Sequence, residues 1–190
     1  MKNGSASDRL QLMCKVLGRL IYVLALASSN LCQADDTSSE KIHDIVIYGD
    51  SSGAVVAAIS AKRERRSVIW INPTGFPGGM SSSGLGATDF LGYRNTFGGI
   101  ASEFYDEVAK AYGTDFVRSF EPHVGKQVFE QMIADAGVTV IYNEQLNRES
   151  GKGVAFNGKR ITAITMLSGK TYRGKMFIDA TYVGDLMAAA

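Results

Sequence analysis

The chain has 190 residues, of which 45% are hydrophobic and 21% are charged, and its formal net charge is +1. These values are ordinary for a soluble globular chain and exclude disorder, collagen and long coiled coils. The near-neutral charge argues against a nucleic-acid partner. The 21 glycines against 3 prolines predict many tight turns or close backbone approaches.

The first 34 residues have the order of an export signal. Basic residues come first, followed by the apolar run Leu20–Ala27 and by small and polar residues that end at Ala34. The run is far shorter than the roughly 20 residues that a membrane span needs. We therefore expect cleavage after Ala34 and an exported, periplasmic or secreted, mature chain. The alternatives are an N-terminal amphipathic or membrane-anchoring segment, and a start of translation at Met13.

Cleavage at Ala34 would remove both cysteines of the chain, Cys14 and Cys32. The mature chain would then contain no disulfide, no thiolate metal site, no cysteine nucleophile and no redox pair of thiols. We expect no metal site and no stable membrane span in this mature chain. Any redox chemistry has to come from a bound cofactor.

A short polar tether, residues 35–41, leads into a predicted βαβ unit. His43–Tyr48 is a β-branched run short enough for a buried strand, and the glycine turn after it opens an alanine-rich helix through Arg65. Ser67–Asn72 is a second buried-strand candidate that ends at Pro73. Strand, glycine turn, helix and strand within about 30 residues predict a parallel pair with a right-handed crossover.

Residues 73–99 are rich in Gly and Ser and show no comparable periodicity. Apolar and aromatic residues within this segment argue against disorder, which favours a functional loop. Two predicted helices follow, Ile100–Tyr112 and Pro122–Ala136, and then a third buried strand, Val138–Tyr142.

Between residues 153 and 174 the pattern changes to short alternating segments, Arg160–Leu167 and Lys170–Arg173, around a Ser-Gly turn. This pattern predicts an antiparallel hairpin or meander. Lys175–Asp179 is the last predicted strand, and a turn and the start of a helix follow it. The expected fold class is therefore α/β, with an antiparallel β-meander inserted into a parallel sheet.

The turn after the first strand carries the main functional signal. A dinucleotide pyrophosphate needs backbone N–H donors, an approach free of Cβ atoms and the positive end of a helix. In the fingerprint G-x-G-x-x-G, Gly49 fills the first position, Ser51 the second and Ala54 the third, with an additional Gly53. Because Ser51 departs from this pattern, a plain βαβ turn without a ligand stays open as the alternative.

The acidic residue expected to bind ribose hydroxyls at the end of the second strand is missing, and Asn72 stands in its place. An amide can exchange hydrogen bonds with a hydroxyl, but it lacks the charge-assisted bond of a carboxylate. Formation of the turn before Pro73 is an equally good role for Asn72.

From Asp44 to Ala190 the chain resembles FAD-dependent oxidoreductases grouped broadly with the heterodisulfide reductase A-like flavoproteins. The segments that carry the resemblance are IVIYGDSSGAVVAAISAKR, INPTGFPGGMSSSGLGATDF, FEPHVGKQVFEQMIADAGV and, most specifically, RITAITMLSGKTYRGKMFIDATYVGDLMAAA. The resemblance implies a Rossmann-like FAD-binding domain of the glutathione reductase type over residues 42–190. It also implies FAD as cofactor, with hydride or electron transfer on an unknown small-molecule substrate.

The resemblance further implies roles for individual residues. It places the pyrophosphate on the turn, the adenosine ribose near Asn72 and a backbone contact to adenine near Leu146. The glycine pair before Met80 would lie beside the flavin, and the end of the last strand would close over the pyrophosphate. The expected cofactor-binding residues are Gly49, Ser51, Ser52, Gly53, Ala54, Asn72, Gly78, Gly79, Met80, Leu146, Ala180 and Thr181.

Members of this family continue well beyond such a domain, so the resemblance implies that the chain is truncated and lacks a C-terminal half. A nucleotide-binding fragment without turnover is therefore an alternative to an oxidoreductase. An NAD(P)-dependent dehydrogenase domain is a third interpretation, which Asn72 and the meander disfavour.

No catalytic residue is assigned from the sequence. His123 lies in the first turn of a predicted helix, where a capping or packing role is more common than that of a general base. Asp89, in the Gly/Ser loop, could face a substrate or bind the backbone of its own loop. Asp179 and Asp185 flank a strand end at which ligands of open α/β sheets gather, but their spacing does not make them a pair.

Overall fold

The computed structural model of the chain describes residues 41–85, 87, 94–96 and 98–190. The expected export signal (residues 1–34), the tether apart from Lys41, and Asp89 lie outside the described residues. The interpretations attached to them stay predictions.

The predicted βαβ unit is present at the start of the described chain. Strand β1 (Ile42–Tyr48) leads to helix α1 (Ser52–Arg63) and strand β2 (Val68–Asn72). The two strands are parallel, with Val46 opposite Ile69. Every residue of β2 is buried, as expected for a parallel strand that is covered on both faces.

The described residues between β2 and the third strand form two short and two long helical elements. They are α2 (Met80–Ser83), a 3-10 helix (Arg94–Thr96), α3 (Gly99–Ala111) and α4 (Pro122–Asp135). Strand β3 (Thr139–Tyr142) follows and pairs with β2 in parallel. The two long helices and β3 confirm the predicted elements within one or two residues. The sequence did not predict α2, because four residues are too few to show a period.

An antiparallel meander completes the sheet. Its strands are β4 (Val154–Asn157), β5 (Arg160–Thr165) and β6 (Thr171–Asp179), and helix α5 (Asp185–Ala189) follows them. The sheet has six strands in the order β3-β2-β1-β6-β5-β4, with the first four parallel and the meander antiparallel.

The prediction of two separate strands at Lys170–Arg173 and Lys175–Asp179 was wrong, because all of these residues except Lys170 lie in the single nine-residue strand β6. Gly174 does not interrupt the strand. It pairs with His43, and a Cβ at this position would press against the side chain of Val46. The long strand pairs with β5 at its beginning and with β1 along most of its length, so it joins the meander to the parallel sheet.

Each face of the parallel sheet has its own hydrophobic cluster. On one face, Ile47 and Trp70 pack with residues of α1, α3 and α4 such as Phe104. On the other face, the cluster contains Val46, Tyr48, Ile69, Ile71, Leu146, Val154, Ile164, Met166, Tyr172 and Leu186. Helices thus cover one face and the meander covers the other, which is the predicted Rossmann-like α/β fold with an antiparallel insertion. Among the described residues, no helix is both long and apolar enough to cross a bilayer.

Candidate functional site

The turn between β1 and α1 lies at the carboxyl edge of the parallel strands, where ligands of such sheets bind. Gly49 has a φ of +134°, and a Cβ there would overlap the backbone of Ala180 at the end of β6. Its N–H donates to the Ile71 carbonyl at 3.1 Å, and its own carbonyl accepts from Trp70 Nε1 at 2.6 Å. The first glycine of the fingerprint is therefore required by the approach of the neighbouring strand end.

The serine at the second fingerprint position has a structural partner. Ser51 Oγ donates to the Ala180 carbonyl at 2.6 Å, and the Ala180 N–H donates to the Tyr48 carbonyl at 2.7 Å. The Ser51 side chain makes no capping bond to α1. Its hydroxyl instead holds the end of β6 against the turn, which accounts for a serine where the fingerprint has glycine.

The first turn of α1 presents main-chain donors to solvent. Ser52 and Gly53 are exposed, and the first amides of a helix have no partner within the helix. Among the described residues, the nearest atom to a Cβ at Gly53 is Ser51 Oγ, at an ordinary contact distance of 3.4 Å, so these residues leave the space above the turn open. Ala54 is fully buried beneath it and packs in the helix-side core. These donors and the positive end of the helix dipole suit an anion.

The glycine pair before α2 lies against the same turn. The Gly78 N–H donates to the Asp50 carbonyl at 3.0 Å, and Gly78 forms a parallel bridge with Ser51. The Met80 N–H donates to the Tyr182 hydroxyl at 2.9 Å. We call the three backbone segments that meet here, residues 49–54, 78–80 and 180–182, the cradle. The cradle brings most of the predicted cofactor-binding residues together, and their roles stay predictions.

A cavity of about 500 Å³ opens beside the cradle. Tyr48 and Leu146 line it on the meander side, and Thr74 lines it after β2. At its edge Arg148 Nη1 lies 2.8 Å from Asp185 Oδ1 in an ion pair. The cavity thus combines apolar walls with charged groups of both signs.

Leu146 lies on the wall of this cavity, where the resemblance implies an adenine contact. It bridges Met166 of the meander, and its own N–H donates to the Tyr48 hydroxyl at 3.0 Å. Burial raises the pKa of Tyr48, although the bond from Leu146 acts in the opposite direction. The Leu146 N–H therefore already has a partner within the chain, and the Tyr48 hydroxyl that accepts its bond still has its own proton to donate.

A buried carboxylate holds the meander against the end of β3. Glu144 is 7% exposed, and it accepts from Lys170 Nζ at 2.6 Å and from Ser168 Oγ at 2.7 Å. Burial raises the pKa of Glu144, but these two bonds outweigh it and hold the pKa below its usual value. No local pattern singles out Glu144, because its partners become neighbours only when the turn between β5 and β6 folds back.

Asn72 is fully buried at the end of β2. Its Oδ1 accepts from the Thr74 N–H at 2.8 Å and from Thr74 Oγ1 at 3.1 Å, and its Nδ2 lies 3.5 Å from the Phe76 carbonyl. These are the contacts of a turn-forming residue, which was the alternative to a ribose contact.

Asp179 closes the turn after β6. Its Oδ1 accepts from the N–H of Thr181 at 3.0 Å and from the hydroxyl of Thr181 at 2.7 Å, while Oδ2 accepts from the Met187 N–H at 2.8 Å. Burial raises the pKa of Asp179, but these bonds outweigh it and the pKa lies below its usual value. Asp185 instead faces Arg148 at the cavity. The two aspartates therefore have separate roles.

His123 is exposed on the first turn of α4, which has no side-chain capping bond. It lies outside the cradle and does not line the cavity beside it. Within the described ranges, no group of three or more His, Cys, Asp or Glu side chains is placed to hold a metal ion.

Comparisons with known proteins give a family and a fold. A family model described as FAD dependent oxidoreductase matches residues 44–190, whereas no curated protein sequence matches. The chain is similar to L-proline dehydrogenase from P. horikoshii, with a TM-score of 0.55, 12% identity and coverage of 77% of this chain and 55% of that one. It is also similar to a flavoprotein/dehydrogenase from Cytophaga hutchinsonii, with a TM-score of 0.53, 16% identity and coverage of 76% and 40%.

A third similar structure is the myxobacterial chondrochloren halogenase, described as a variant of FAD-dependent halogenases. Its TM-score is 0.54 at 14% identity, with coverage of 74% of this chain and 37% of that one. At such identities these structures show the fold alone. The chain spans about half of the first of these proteins and less of the other two.

Proposed function

Because the chain belongs to the FAD-dependent oxidoreductase family, whose cofactor is FAD, we propose that it is the FAD-binding part of an oxidoreductase. The observation that carries the proposal is the cradle. Three separate backbone segments meet there at the carboxyl edge of the parallel strands, next to the open first turn of α1. Ligands of open α/β sheets bind at this edge.

The residues present fit a dinucleotide. The exposed amides of Ser52 and Gly53 favour a pyrophosphate, and no Cβ of Gly53 blocks the approach. The neighbouring cavity of about 500 Å³ falls within the range of roughly 300–1,000 Å³ that is common for small-ligand sites. An elongated cofactor can therefore place its diphosphate on α1 and its nucleoside in the cavity.

We assign the pyrophosphate to residues 49–54, the adenosine to the cavity beside Leu146 and the flavin to the side of residues 78–80. When bound, FAD supplies hydride or electron transfer at its ring system. The residues of the chain bind and orient it: the α1 amides face the diphosphate, and the Tyr182 hydroxyl fixes the Met80 amide at 2.9 Å. No protein nucleophile is needed for this chemistry.

The fold does not choose the substrate. A proline dehydrogenase and a halogenase both share it, and function depends on the site rather than on the fold. Three further points are proposals. They are that the substrate is a small molecule, that this chain catalyses turnover, and that it belongs to the heterodisulfide reductase A-like subgroup.

The first test is cofactor retention by the full chain. The purified protein is mixed with FAD, FMN or NAD and freed of excess ligand, and the absorbance of the protein fraction is recorded. We expect a yellow protein with FAD and a colourless one with FMN or NAD. A colourless protein that binds NAD would support the dehydrogenase alternative and overturn the proposal.

Two charge substitutions on α1 locate the pyrophosphate. Gly53→Glu places a carboxylate in the open space above the first turn, where it repels a diphosphate, so FAD retention should be lost. Ser60→Glu puts the same charge on an exposed position later in the same helix and should leave retention unchanged. Equal retention by both variants would contradict the assignment.

Turnover is tested separately by adding candidate electron donors to the FAD-loaded protein without oxygen. Bleaching of the flavin absorbance by a donor supports an oxidoreductase. Retention of FAD without bleaching by any donor supports the nucleotide-binding fragment.

Export is a separate proposal, supported by the order of charged, apolar and small residues before Asp35. The full chain is expressed in a bacterial host, the cells are fractionated and the N-terminus is sequenced. We expect an exported protein that begins at Asp35, and Leu24→Arg, which interrupts the apolar run, should block processing. A cytoplasmic product that keeps residues 1–34 would overturn the proposal.

A further inference from the structure

The turn of the cradle contains a carboxylate that the fingerprint does not require. Asp50 follows Gly49, and its Oδ2 lies 3.2 Å from Thr74 Oγ1. The same Thr74 hydroxyl lies 3.1 Å from Asn72 Oδ1, and Thr74 lines the cavity. The Asp50 carboxylate therefore reaches the end of β2, where dinucleotide-binding folds carry the acidic residue that binds ribose.

The Asp50 carboxylate has hydrogen-bonding capacity left over. A hydroxyl has one proton to donate, and that of Thr74 is shared between Asp50 and Asn72. Within the described ranges, this shared hydroxyl is the sole donor on the Asp50 side chain. Asp179, in contrast, accepts three hydrogen bonds and Glu144 accepts two. Asp50 is partly exposed, so its remaining lone pairs are open to water or to a ligand hydroxyl, which can form a charge-assisted hydrogen bond with it.

The contacts of Asp50 place its side-chain charge at the end of β2. Its carbonyl accepts from the Gly78 N–H at 3.0 Å, and its side chain points to Thr74. A carboxylate that faced the diphosphate would repel it, whereas one at the end of β2 faces the sugar. This placement separates the negative side chain from the negative part of the ligand.

We propose that Asp50 accepts hydrogen bonds from the ribose hydroxyls of the nucleoside in the cavity, in place of the acidic residue that is absent at Asn72. The inference rests on the proposed FAD site and names its ribose contact. It has a consequence for specificity, because a carboxylate at this point repels a ribose that carries a phosphate. The site selects a nucleoside diphosphate with a free ribose diol.

The test measures affinities of the full chain for three probes by calorimetry. They are ADP, dideoxy-ADP, which lacks both ribose hydroxyls, and ADP with a phosphate on the ribose 2′-oxygen. Wild type should bind ADP about tenfold more tightly than dideoxy-ADP, which corresponds to about 1.4 kcal/mol. In Asp50→Ala this ratio should fall to about twofold or less, and binding of the phosphorylated probe should improve.

Two further variants separate a ribose contact from damage to the loop. Asp50→Asn keeps an acceptor for Thr74 but loses the charge. Its preference for ADP over dideoxy-ADP should therefore lie between the preferences of wild type and Asp50→Ala. Glu107→Gln removes an exposed carboxylate from α3, where it pairs with Lys110 and does not line the cavity, and should leave the preference for ADP over dideoxy-ADP unchanged. A purely structural role for Asp50 would weaken all three probes equally.

The outcomes distinguish this inference from the proposed function. If wild type binds FAD but Asp50→Ala keeps the full preference for ADP over dideoxy-ADP, the ribose contact is wrong and the FAD site stands. The same holds if wild type itself shows no preference. If wild type binds neither FAD nor ADP, the proposed function fails and this inference fails with it.

Discussion

The two ends of strand β1 use their polar groups in opposite ways. At the amino end, the Asp44 carboxylate accepts from the Ser67 N–H at 2.9 Å, from Ser67 Oγ at 2.8 Å and from Lys175 Nζ at 2.7 Å. At the carboxyl end, the amides of Ser52 and Gly53 face solvent and a cavity lies alongside. The Asp44 carboxylate is thus paired within the chain at the amino end, whereas the first amides of α1 have no partner within their helix at the carboxyl end.

This difference follows from the direction of the strands and helices. In a βαβ unit, the helix that follows a parallel strand starts at the carboxyl edge, so the positive end of its dipole and its unpaired amides lie there. The amino edge carries the carboxyl ends of helices and short connections, whose polar groups form hydrogen bonds with one another. Substitutions at each end of β1 test this difference between the two edges of the sheet.

The largest effect is expected from Gly49→Ala at the carboxyl end. The φ of +134° and the overlap of a Cβ with the Ala180 backbone should lower the free energy of unfolding by about 3 kcal/mol or more. Gly113→Ala is the matched control, since Gly113 also has a positive φ, of +65°, but no atom within 4 Å of an added Cβ. It should cost about 1–2 kcal/mol. Urea unfolding measures both, and equal losses would contradict the close approach at Gly49.

A smaller effect is expected from Tyr48→Phe, which leaves the buried Leu146 N–H without its acceptor. The free energy of unfolding should fall by about 1–3 kcal/mol. Tyr112→Phe removes a similar bond, from the Glu121 N–H at 2.9 Å, at an exposed position where water replaces it. Its cost should be about 0.5 kcal/mol or less. A loss in Tyr48→Phe no larger than in this control would show that the Leu146 amide finds another partner.

At the amino end, the expected effect of Asp44 depends on pH. The bonds from Lys175 and Ser67 hold the pKa of Asp44 well below its usual value of 3.8. Because the unfolded state takes up the proton first, this stabilisation is complete above about pH 4 and is lost as the pH falls further. Asp44→Asn should therefore flatten the fall in melting temperature below that pH. Asp106→Asn, another carboxylate change, should not flatten it.

The smallest effect is expected from His43, which is 7% exposed and whose Nδ1 has no partner among the described residues. Burial and the neighbouring Lys41 lower its pKa from 6.5, while Asp44 acts in the opposite direction. The unfolded state binds the proton first, so stability is complete above about pH 6.5 and declines as the pH falls below it.

His43→Phe should remove this decline, and His123→Phe, at an exposed histidine, should leave it in place. Melting temperatures between neutral pH and about pH 5 measure the difference. If the decline in stability persists in His43→Phe, another titratable group causes it.

Much of the fold could be predicted from local pattern. The β-branched runs of β1 and β2, the glycine turn and the helix between them are each evident within a few residues, and the structure has them in those places. The prediction failed at β6, which was expected as two separate segments, Lys170–Arg173 and Lys175–Asp179. A glycine weakens a strand locally, but pairing with β1 on one side and β5 on the other outweighs that cost.

The candidate site could be predicted only in part. The fingerprint located the turn, but it did not show that Ser51 serves Ala180 or that the Leu146 amide is taken by Tyr48. It also drew attention to Asn72 rather than to Asp50. These contacts join residues that are far apart along the chain, so no local spacing reports them.

By itself, the sequence determined the parallel βαβ start, the meander and the family, because periodicity, glycine placement and motif are properties of short stretches of chain. Only the tertiary structure decided which polar groups are used up and which are free. The sequence shows the same carboxylate or amide whether it is paired or free. The difference is whether the fold brings a hydrogen-bond partner to it from a distant segment of the chain. At Asp44 that partner is Lys175, whereas at Asp50 the described residues supply only the shared hydroxyl of Thr74.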